Sequence, residues 1–171
     1  MRVEHRSSNP NHRTPELILG LVRKFAPIKL DPCTTKDNPT TAEFIRTPDC
    51  SPDGLETRWH EFGGLVYVNP PYGRRKGQRC LEWVDKMIEE ARLGTEIIAL
   101  LPSRTDTVWF QKILDMARWD QTGLQCDIVF VRGRLTFVEQ PNAAPFPSAI
   151  IHWGTRWGDF AEAFKVLGRP L

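Results

Sequence analysis

The sequence predicts an α/β domain of three layers, with a mostly parallel sheet that ends in an antiparallel C-terminal hairpin. In the first part of the chain, apolar runs typical of buried strands alternate with segments of helical periodicity. That alternation requires parallel strands joined by right-handed crossovers. Three strand-like runs near the end follow one another without a helical pattern between them, so they can be joined as hairpins. With 171 residues and 40% hydrophobic content, the chain can bury one core, and we expect a single domain at residues 13–171 after a loose polar arm at residues 1–12.

The first two elements are a helix and a strand. Thr14 is suited to be the N-cap of the helix and Pro15 its first residue, and apolar residues recur at helical spacing up to Phe25. The run PIKL then stops at Asp31-Pro32, and a residue before proline favours extended conformations. We therefore expect a helix that ends near Phe25 and a strand that ends at Asp31.

A long loop, a second strand and a second helix come next. Residues 34–62 are rich in Thr, Pro and Asp, and AEFIR is their one strand-like piece. GLVYV is an apolar run of the kind buried on both faces of a parallel sheet, and it leads directly into Asn69. Residues 79–93 predict a helix that Gly94 ends. The residues expected on its buried face are Leu81, Val84, Ile88 and Ala91.

The rest of the chain predicts four strands and two helices. TEIIALLP, at residues 95–102, has the composition of another buried strand, and the helix after it has Thr105 or Asp106 available as its cap. The last three strands are CDIVFV at 126–131, RLTFV at 134–138 and SAIIHW at 148–153, and the closing helix is GDFAEAFKVLG at 158–168.

Composition and charge predict an ordinary soluble protein of the cytoplasm. The net charge is +2 with 26% charged residues, which excludes a polybasic tail and an acidic disordered segment. The polar N-terminus predicts no signal peptide, and the sequence has no apolar run long enough to span a bilayer. The four cysteines form no C-x-x-C pair, so we expect reduced thiols rather than a disulfide framework or a metal site.

The predicted strands end in residues that can bind a ligand. Ligands of open α/β sheets bind outside the carboxyl ends of the strands, so Asp31, Asn69 and Pro102 should share one rim. Two prolines after Asn69 fix the backbone and remove two N–H donors, which leaves the Asn69 amide oxygen and the turn carbonyls as acceptors for an NH₂ group. Tyr72 adds a flat face on which a planar ring can stack. The alternative is a strand-ending proline turn with an aromatic ring packed beneath it.

The Asn-Pro-Pro-Tyr motif at 69–72 resembles the catalytic motif of amino-methyltransferases that use S-adenosylmethionine, a group that includes DNA adenine-N6 and cytosine-N4 methyltransferases. An ordered set of segments along nearly the whole chain after the arm is similar to one branch, the small phage-encoded DNA N6-adenine methyltransferases of the Dam type. These segments are TPELI at 14–18, LDPCTT at 30–35, DGL at 53–55, VNPPYG at 68–73, LLPSRTDTVWF at 100–110, RGRLTF at 132–137 and APFPSAIIHWG at 144–154. The resemblance implies a Rossmann-like class I methyltransferase fold, S-adenosylmethionine as methyl donor and double-stranded DNA as partner, with no membrane involved.

The resemblance implies catalytic roles for Asn69, Pro70, Pro71 and Tyr72. The exocyclic amine of a purine is a poor nucleophile, and acceptors at Asn69 and the Pro70 carbonyl would draw out its hydrogens and favour attack on the methyl carbon. The base must leave the duplex to reach the pocket, where Tyr72 would stack on it. Neither a covalent intermediate nor a metal is expected.

The cofactor-binding residues implied by the resemblance are Thr14, Pro15, Asp31, Pro32, Cys33 and Asp53. Asp31 would bind the ammonium group or the ribose hydroxyls, and the alternative is that it caps its own turn. For Thr14 and Pro15 the alternative is a plain N-cap, and for Asp53 it is a simple Asp-Gly turn. A glycine loop of the G-x-G type is missing, but S-adenosylmethionine has no pyrophosphate that would demand it.

A group of cations follows the motif. Those expected to bind DNA phosphates beside the flipped nucleotide are Arg74, Arg75, Lys76, Arg79 and Arg104. The alternative is a solvated loop.

Other substrates and one other class of protein remain compatible with the sequence. The motif also suits methylation of cytosine N4, of RNA or of a glutamine side chain. The different class is a nucleic-acid-binding module that kept the α/β scaffold but lost cofactor binding. If the chain is phage-encoded, it would act in the cytoplasm of a bacterial host.

Overall fold

The computed structural model describes residues 12–119 and 126–171. Of the predicted arm at residues 1–12, all but the last residue lies outside these ranges, and His12 itself is buried. Within the described residues, no helix is long and apolar enough to cross a membrane. In chain order the elements are α1 (Glu16–Phe25), β1 (Ile28–Asp31), β2 (Phe44–Ile45), a 3-10 helix (Trp59–Phe62), β3 (Leu65–Val68), α2 (Cys80–Arg92), β4 (Glu96–Pro102), α3 (Val108–Trp119), β5 (Cys126–Phe130), β6 (Ser148–Trp153) and α4 (Trp157–Phe164).

The strands form one sheet in the order β2-β1-β3-β4-β6-β5. Neighbours among β2, β1, β3 and β4 run parallel, whereas β6 is antiparallel to both β4 and β5. The predicted α/β class, with a mostly parallel sheet and an antiparallel C-terminal pair, is confirmed. Because β1, β3 and β4 are parallel, their carboxyl ends at Asp31, Val68 and Pro102 lie along the same edge of the sheet.

Helices cover both faces of the sheet and produce the three predicted layers. In β4, Ile98 and Leu100 belong to the core formed with α1 and α4, whereas Ile97 and Ala99 belong to the core formed with α2 and α3. This division follows from the alternation of side chains along a strand. All four residues of β3 are buried, which explains why its sequence is continuously apolar.

One expected strand is wrong, because RLTFV at 134–138 is an extended loop. In this segment, Val138 forms an isolated antiparallel β-bridge with Arg13. The β5 strand is last in the sheet, and its outer edge is already covered by the C-terminus, where Ile128 and Leu171 exchange two backbone hydrogen bonds. A sheet edge covered in this way offers no place for a further strand.

The predicted cap of α1 is also wrong. The helix begins at Glu16, and its N-cap is Pro15, whose carbonyl accepts the first helical hydrogen bonds. Thr14 does not cap the helix because its hydroxyl is bonded to the side chains of Tyr67 and Asn69. The first helix therefore starts one residue later than expected, and Thr14 belongs to the rim of the sheet.

Two smaller expectations on α2 and α3 need correction. Val84, Ile88 and Ala91 are buried as predicted, but Leu81 is 37% exposed because it lies in the first turn of α2, before the helix reaches the core. In α3 the capping hydroxyl belongs to Thr107, which accepts the N–H of Phe110, and not to the predicted Thr105 or Asp106.

Candidate active site

A cavity of about 360 Å³ lies beyond the carboxyl ends of β1 and β3. It brings together eight of the residues predicted for cofactor binding and catalysis: Thr14, Asp31, Pro32, Cys33, Asp53, Asn69, Pro70 and Pro71. Two further predicted residues, Pro15 and Tyr72, are not part of its lining. The remaining walls come from the segments after β1 and β2, from the loop before α2 and from α2 itself, with Thr40, Gly54, Lys76 and Trp83 among them.

The side-chain amide of Asn69 is held by three hydrogen bonds at the wall of this cavity. Its Nδ2 donates to the backbone carbonyl of His12 at 2.5 Å and to Thr14 Oγ1 at 2.9 Å. Its Oδ1 accepts the hydroxyl of Tyr72 at 2.7 Å. Because a carbonyl oxygen can only accept, the contact with His12 fixes which end of the amide carries the nitrogen.

Among the residues that the structure describes, this network leaves Asn69 with one free acceptor site. An amide oxygen has two lone pairs, and the Tyr72 hydroxyl uses one of them. Both hydrogens of Nδ2 are engaged, which polarises the amide and strengthens its oxygen as an acceptor. The arrangement can therefore receive one N–H group from a ligand at a fixed position.

The ring of Tyr72 is packed rather than open in this structure. It stacks on the imidazole of His12 with ring centroids 5.3 Å apart, and Phe146 meets it edge-on at 5.6 Å. Its hydroxyl lies 3.0 Å from the backbone carbonyl of Leu100 in β4. This packing matches the alternative interpretation of the proline turn, and stacking of Tyr72 on a base stays a prediction.

Asp31 caps its own turn and also lines the cavity, and its binding of a cofactor stays a prediction. The carboxylate is 4% exposed and lines the cavity. Its Oδ1 accepts the backbone N–H of Cys33 at 3.1 Å, and its Oδ2 accepts the hydroxyl of Thr40 at 2.9 Å. Burial raises the pKa of Asp31 to about 6, although the hydrogen bonds from Cys33 and Thr40 oppose that rise. Asp31 thus caps its own turn and also presents a buried, weakly stabilised negative charge to the cavity.

The 53–57 turn shapes the opposite wall. Asp53 Oδ1 accepts the backbone N–H groups of Leu55 and Glu56 at 2.9 and 3.0 Å, so the simple turn proposed as its alternative role is present. Gly54 lies so close to the backbone of Pro32 that a Cβ atom would come within 1.7 Å of its carbonyl oxygen. A glycine is therefore required where this turn meets the end of β1.

Several residues of the site were not predicted from the sequence. Tyr67 lies inside the buried strand β3, and its hydroxyl is 2.8 Å from Thr14 Oγ1. Burial raises the pKa of the Tyr67 hydroxyl and that of the Cys33 thiol, so both groups are neutral. The tyrosine in an otherwise aliphatic run was a usable signal, because a buried hydroxyl needs a partner. No comparable signal marks Thr40 or His12, whose contacts depend on tertiary packing.

The loop that carries the cations, at residues 73–79, is held in place by hydrogen bonds at its glycines, and we call it the cation loop. Gly73 N–H donates to the Gln78 carbonyl at 2.8 Å. Gly77 N–H donates to Glu82 Oε2 at 2.7 Å, and the Gly77 carbonyl accepts the indole N–H of Trp83 at 3.0 Å. Two side chains of α2, Glu82 and Trp83, therefore anchor the backbone of the loop.

The predicted DNA-binding residues are all exposed but differ in their surroundings. Lys76 lines the cavity, whereas Arg74 and Arg75 do not. Arg79 is the N-cap residue of α2, and its Nε donates to the carbonyl of Arg74 at 3.1 Å. Arg104 lies 3.7 Å from the carboxylate of Asp106.

The family model described as DNA N-6-adenine-methyltransferase (Dam) matches residues 5–148, a range that includes the whole cavity and the cation loop. None of the curated proteins matches the chain.

Proposed function

The chain belongs to the DNA N-6-adenine-methyltransferase (Dam) family, and from this membership we propose that it transfers a methyl group from S-adenosylmethionine to N6 of an adenine flipped out of double-stranded DNA. The observation that carries the proposal is the side chain of Asn69, which is oriented by three hydrogen bonds and keeps one acceptor site free. We also propose that residues 13–171 act as one methyltransferase domain.

The residues of the proline turn activate the acceptor nitrogen. The lone pair of the adenine amine is conjugated with the ring and attacks poorly. When Asn69 Oδ1 and the Pro70 carbonyl accept hydrogen bonds from the two amine hydrogens, the nitrogen becomes more electron-rich and would attack the methyl carbon more readily. Forming the nitrogen–carbon bond would break the carbon–sulfur bond and release S-adenosylhomocysteine, and the methylated nitrogen would lose one proton to water. The rigid backbone of two prolines keeps both acceptors in place without reorganisation during the reaction.

The cavity fits S-adenosylmethionine in size and in chemistry. Its volume of about 360 Å³ lies in the range of small-molecule sites. The carboxylates of Asp31 and Asp53 suit an ammonium group and ribose hydroxyls, since each carboxylate group keeps lone pairs beyond those already engaged. When bound, S-adenosylmethionine supplies an activated methyl group on a sulfonium centre. Asp31 would hold its cationic end, and Asn69 forms the wall toward the acceptor base.

The cation loop provides the contacts to DNA. Arg74 and Arg75 are exposed beside the proline turn and would neutralise phosphates next to the flipped nucleotide. Lys76 reaches the cavity and would bind close to the reacting base. Because α2 anchors Gly77, these side chains start from a fixed backbone, which reduces the ordering cost of binding.

The first test is methyl transfer by the variant Asn69→Ala. With labelled S-adenosylmethionine and unmethylated duplex DNA, transfer should fall by at least about 10²-fold, the usual effect of removing an oriented hydrogen-bond partner in a transition state. Cofactor affinity, measured by calorimetry, should stay nearly unchanged. The matched control is Asn142→Ala, an exposed asparagine outside the cavity, which should keep full activity. Retained turnover in Asn69→Ala would remove the proposed role of this residue.

Mass spectrometry of the nucleosides identifies the acceptor. N6-methyldeoxyadenosine is the expected product, and N4-methyldeoxycytidine would reassign the base. Cofactor binding without any labelled DNA would point to RNA or a protein glutamine as substrate. Absence of cofactor binding at high concentration would favour the nucleic-acid-binding module.

A further inference from the structure

The imidazole of His12 is buried without a hydrogen-bond partner. The residue is 7% exposed, and neither Nδ1 nor Nε2 is bonded to any other group of the described residues. Leaving a buried polar group unpaired is unfavourable, and such groups are uncommon in folded proteins. The position of His12 therefore requires an explanation beyond packing.

Three aromatic rings enclose this imidazole beside the proline turn. Tyr72 stacks on it with an interplanar angle of 29°, Phe137 lies at 4.8 Å and Phe146 meets it edge-on at 5.6 Å. We call Tyr72, Phe137 and Phe146 the aromatic box. The planar heteroaromatic ring of His12 thus occupies one face of Tyr72, the kind of surface on which a flipped base stacks.

We propose that His12 is a placeholder in the acceptor pocket, which the target base displaces from the aromatic box when it enters. This inference rests on the proposed function and names a residue of the same site. A purine covers more of the box than an imidazole does, so the exchange gains stacking area. The released imidazole regains hydrogen bonds to water that it lacks in the box.

The backbone contact of His12 permits this exchange. Its carbonyl accepts a hydrogen bond from Asn69, while Thr14 Oγ1 accepts the second hydrogen of the same amide. A rotation of the His12 side chain breaks neither bond. Asn69 can therefore keep its orientation while the ring on Tyr72 is replaced.

The first experiment follows the His12 ring by NMR in the unaltered protein. With three aromatic rings within 5.6 Å, its ring protons should show shifted resonances, which a His12 variant assigns among the four histidines of the chain. The probe is a short single-stranded oligonucleotide with one adenine, which needs no flipping, added with S-adenosylhomocysteine to prevent turnover. We expect the His12 resonances to move toward the values of free imidazole. The matched probe, with an abasic site in place of the adenine, should leave them unchanged. The inference is overturned if the adenine-containing probe leaves the His12 resonances in place or shifts them no more than the abasic probe does.

The second experiment compares two substitutions of His12 in the methyl-transfer assay. His12→Ala empties the box and should lower the KM for DNA by about fivefold, since the base no longer competes with an occupant. His12→Phe leaves a ring that gains nothing from release into water, so the KM should rise. If the role of His12 were purely structural, both substitutions would change the stability of the protein but would not change the KM for DNA in opposite directions. A KM that moves in the same direction in both variants would overturn the inference. Because the NMR experiment needs no turnover, loss of the ring from the box can be seen even if the methyl-transfer reaction itself is refuted.

Discussion

Removing the buried charge of Asp31 should make the protein more stable and less able to bind its cofactor. The substitution Asp31→Asn keeps the shape of the side chain and its acceptor for the Cys33 N–H. Thr40 now donates its hydroxyl hydrogen to Asp31, but it also lies 3.2 Å from Asn38 Oδ1. It can therefore donate to Asn38 and accept from the new amide.

The size of the effect follows from the pKa of Asp31, which burial raises from 3.8 to about 6. The folded protein binds this proton more tightly than the unfolded chain does. The charged carboxylate therefore destabilises the fold, by about 3 kcal/mol once the pH exceeds the folded pKa. Urea unfolding of the cofactor-free protein should show Asp31→Asn and wild type nearly equal below pH 4. The variant should gain on the wild type between pH 4 and 6, and keep an advantage of up to about 3 kcal/mol at pH 7 to 8.

Cofactor binding should change in the opposite direction. Losing a charge-assisted contact costs about 1.5–3 kcal/mol, so the affinity for S-adenosylmethionine should fall about 10- to 100-fold in calorimetry. The control is Asp53→Asn, which removes a carboxylate from the same cavity. Because Asp53 is only half-buried, its replacement should not stabilise the fold by a comparable amount. An Asp31→Asn protein that is no more stable than wild type at pH 8, or that binds the cofactor with wild-type affinity, would refute the reasoning.

Three further predictions test other parts of the molecule. Gly54→Ala should distort the cavity wall and lower the free energy of unfolding in urea by more than about 2 kcal/mol. The control is Gly20→Ala, in an open helical position, which should raise the free energy of unfolding by about 0.5–1 kcal/mol. Similar effects of both substitutions would contradict the close approach of Gly54 to the Pro32 carbonyl. Replacing Arg75 and Lys76 by alanine should reduce the slope of log K against log salt for DNA binding by about 2, and an unchanged slope would make the loop a solvated segment. Burial lowers the pKa of His152, but hydrogen bonds to two carboxylates outweigh it and raise the pKa above 6.5. The excess stability of wild type over His152→Gln should therefore be greatest below pH 6.5 and disappear as the pH rises through the raised pKa, and a constant difference would refute the charge-based explanation.

The main sheet could be predicted from the sequence because its strands are buried on both faces. Continuous apolar runs such as GLVYV are typical of strands buried on both faces of the sheet in an α/β domain. The polar residues that follow such strands therefore lie at the carboxyl edge of the sheet. Asp31 and Asn69 could therefore be assigned to one site without any structure. The family match over residues 5–148 agrees with the resemblance carried by the same segments.

The errors arose where a local pattern competed with a distant contact. Thr14 has the ideal residue type for a helix cap, but Tyr67 and Asn69, more than fifty residues away, bind its hydroxyl instead. RLTFV at 134–138 has the composition of a strand, yet the C-terminus already covers the edge that it would need. Neither competing partner can be identified from the segment itself, since local propensity is a weak prior against tertiary contacts.

The network around Asn69 also explains why the residues before α1 belong to the site. The amide is bonded to the His12 carbonyl and Thr14 hydroxyl on one side and to Tyr72 on the other. The carbonyl of Leu100 in β4 lies 3.0 Å from the same Tyr72 hydroxyl, so its single hydrogen is shared between Asn69 Oδ1 and this carbonyl. Three segments that are distant in sequence thus fix one side chain, and a change in any of them alters the direction in which Oδ1 accepts. The segment that orients Asn69 also supplies the ring that covers Tyr72. The backbone of His12 therefore keeps Asn69 Oδ1 in position, while the side chain of His12 controls access to it.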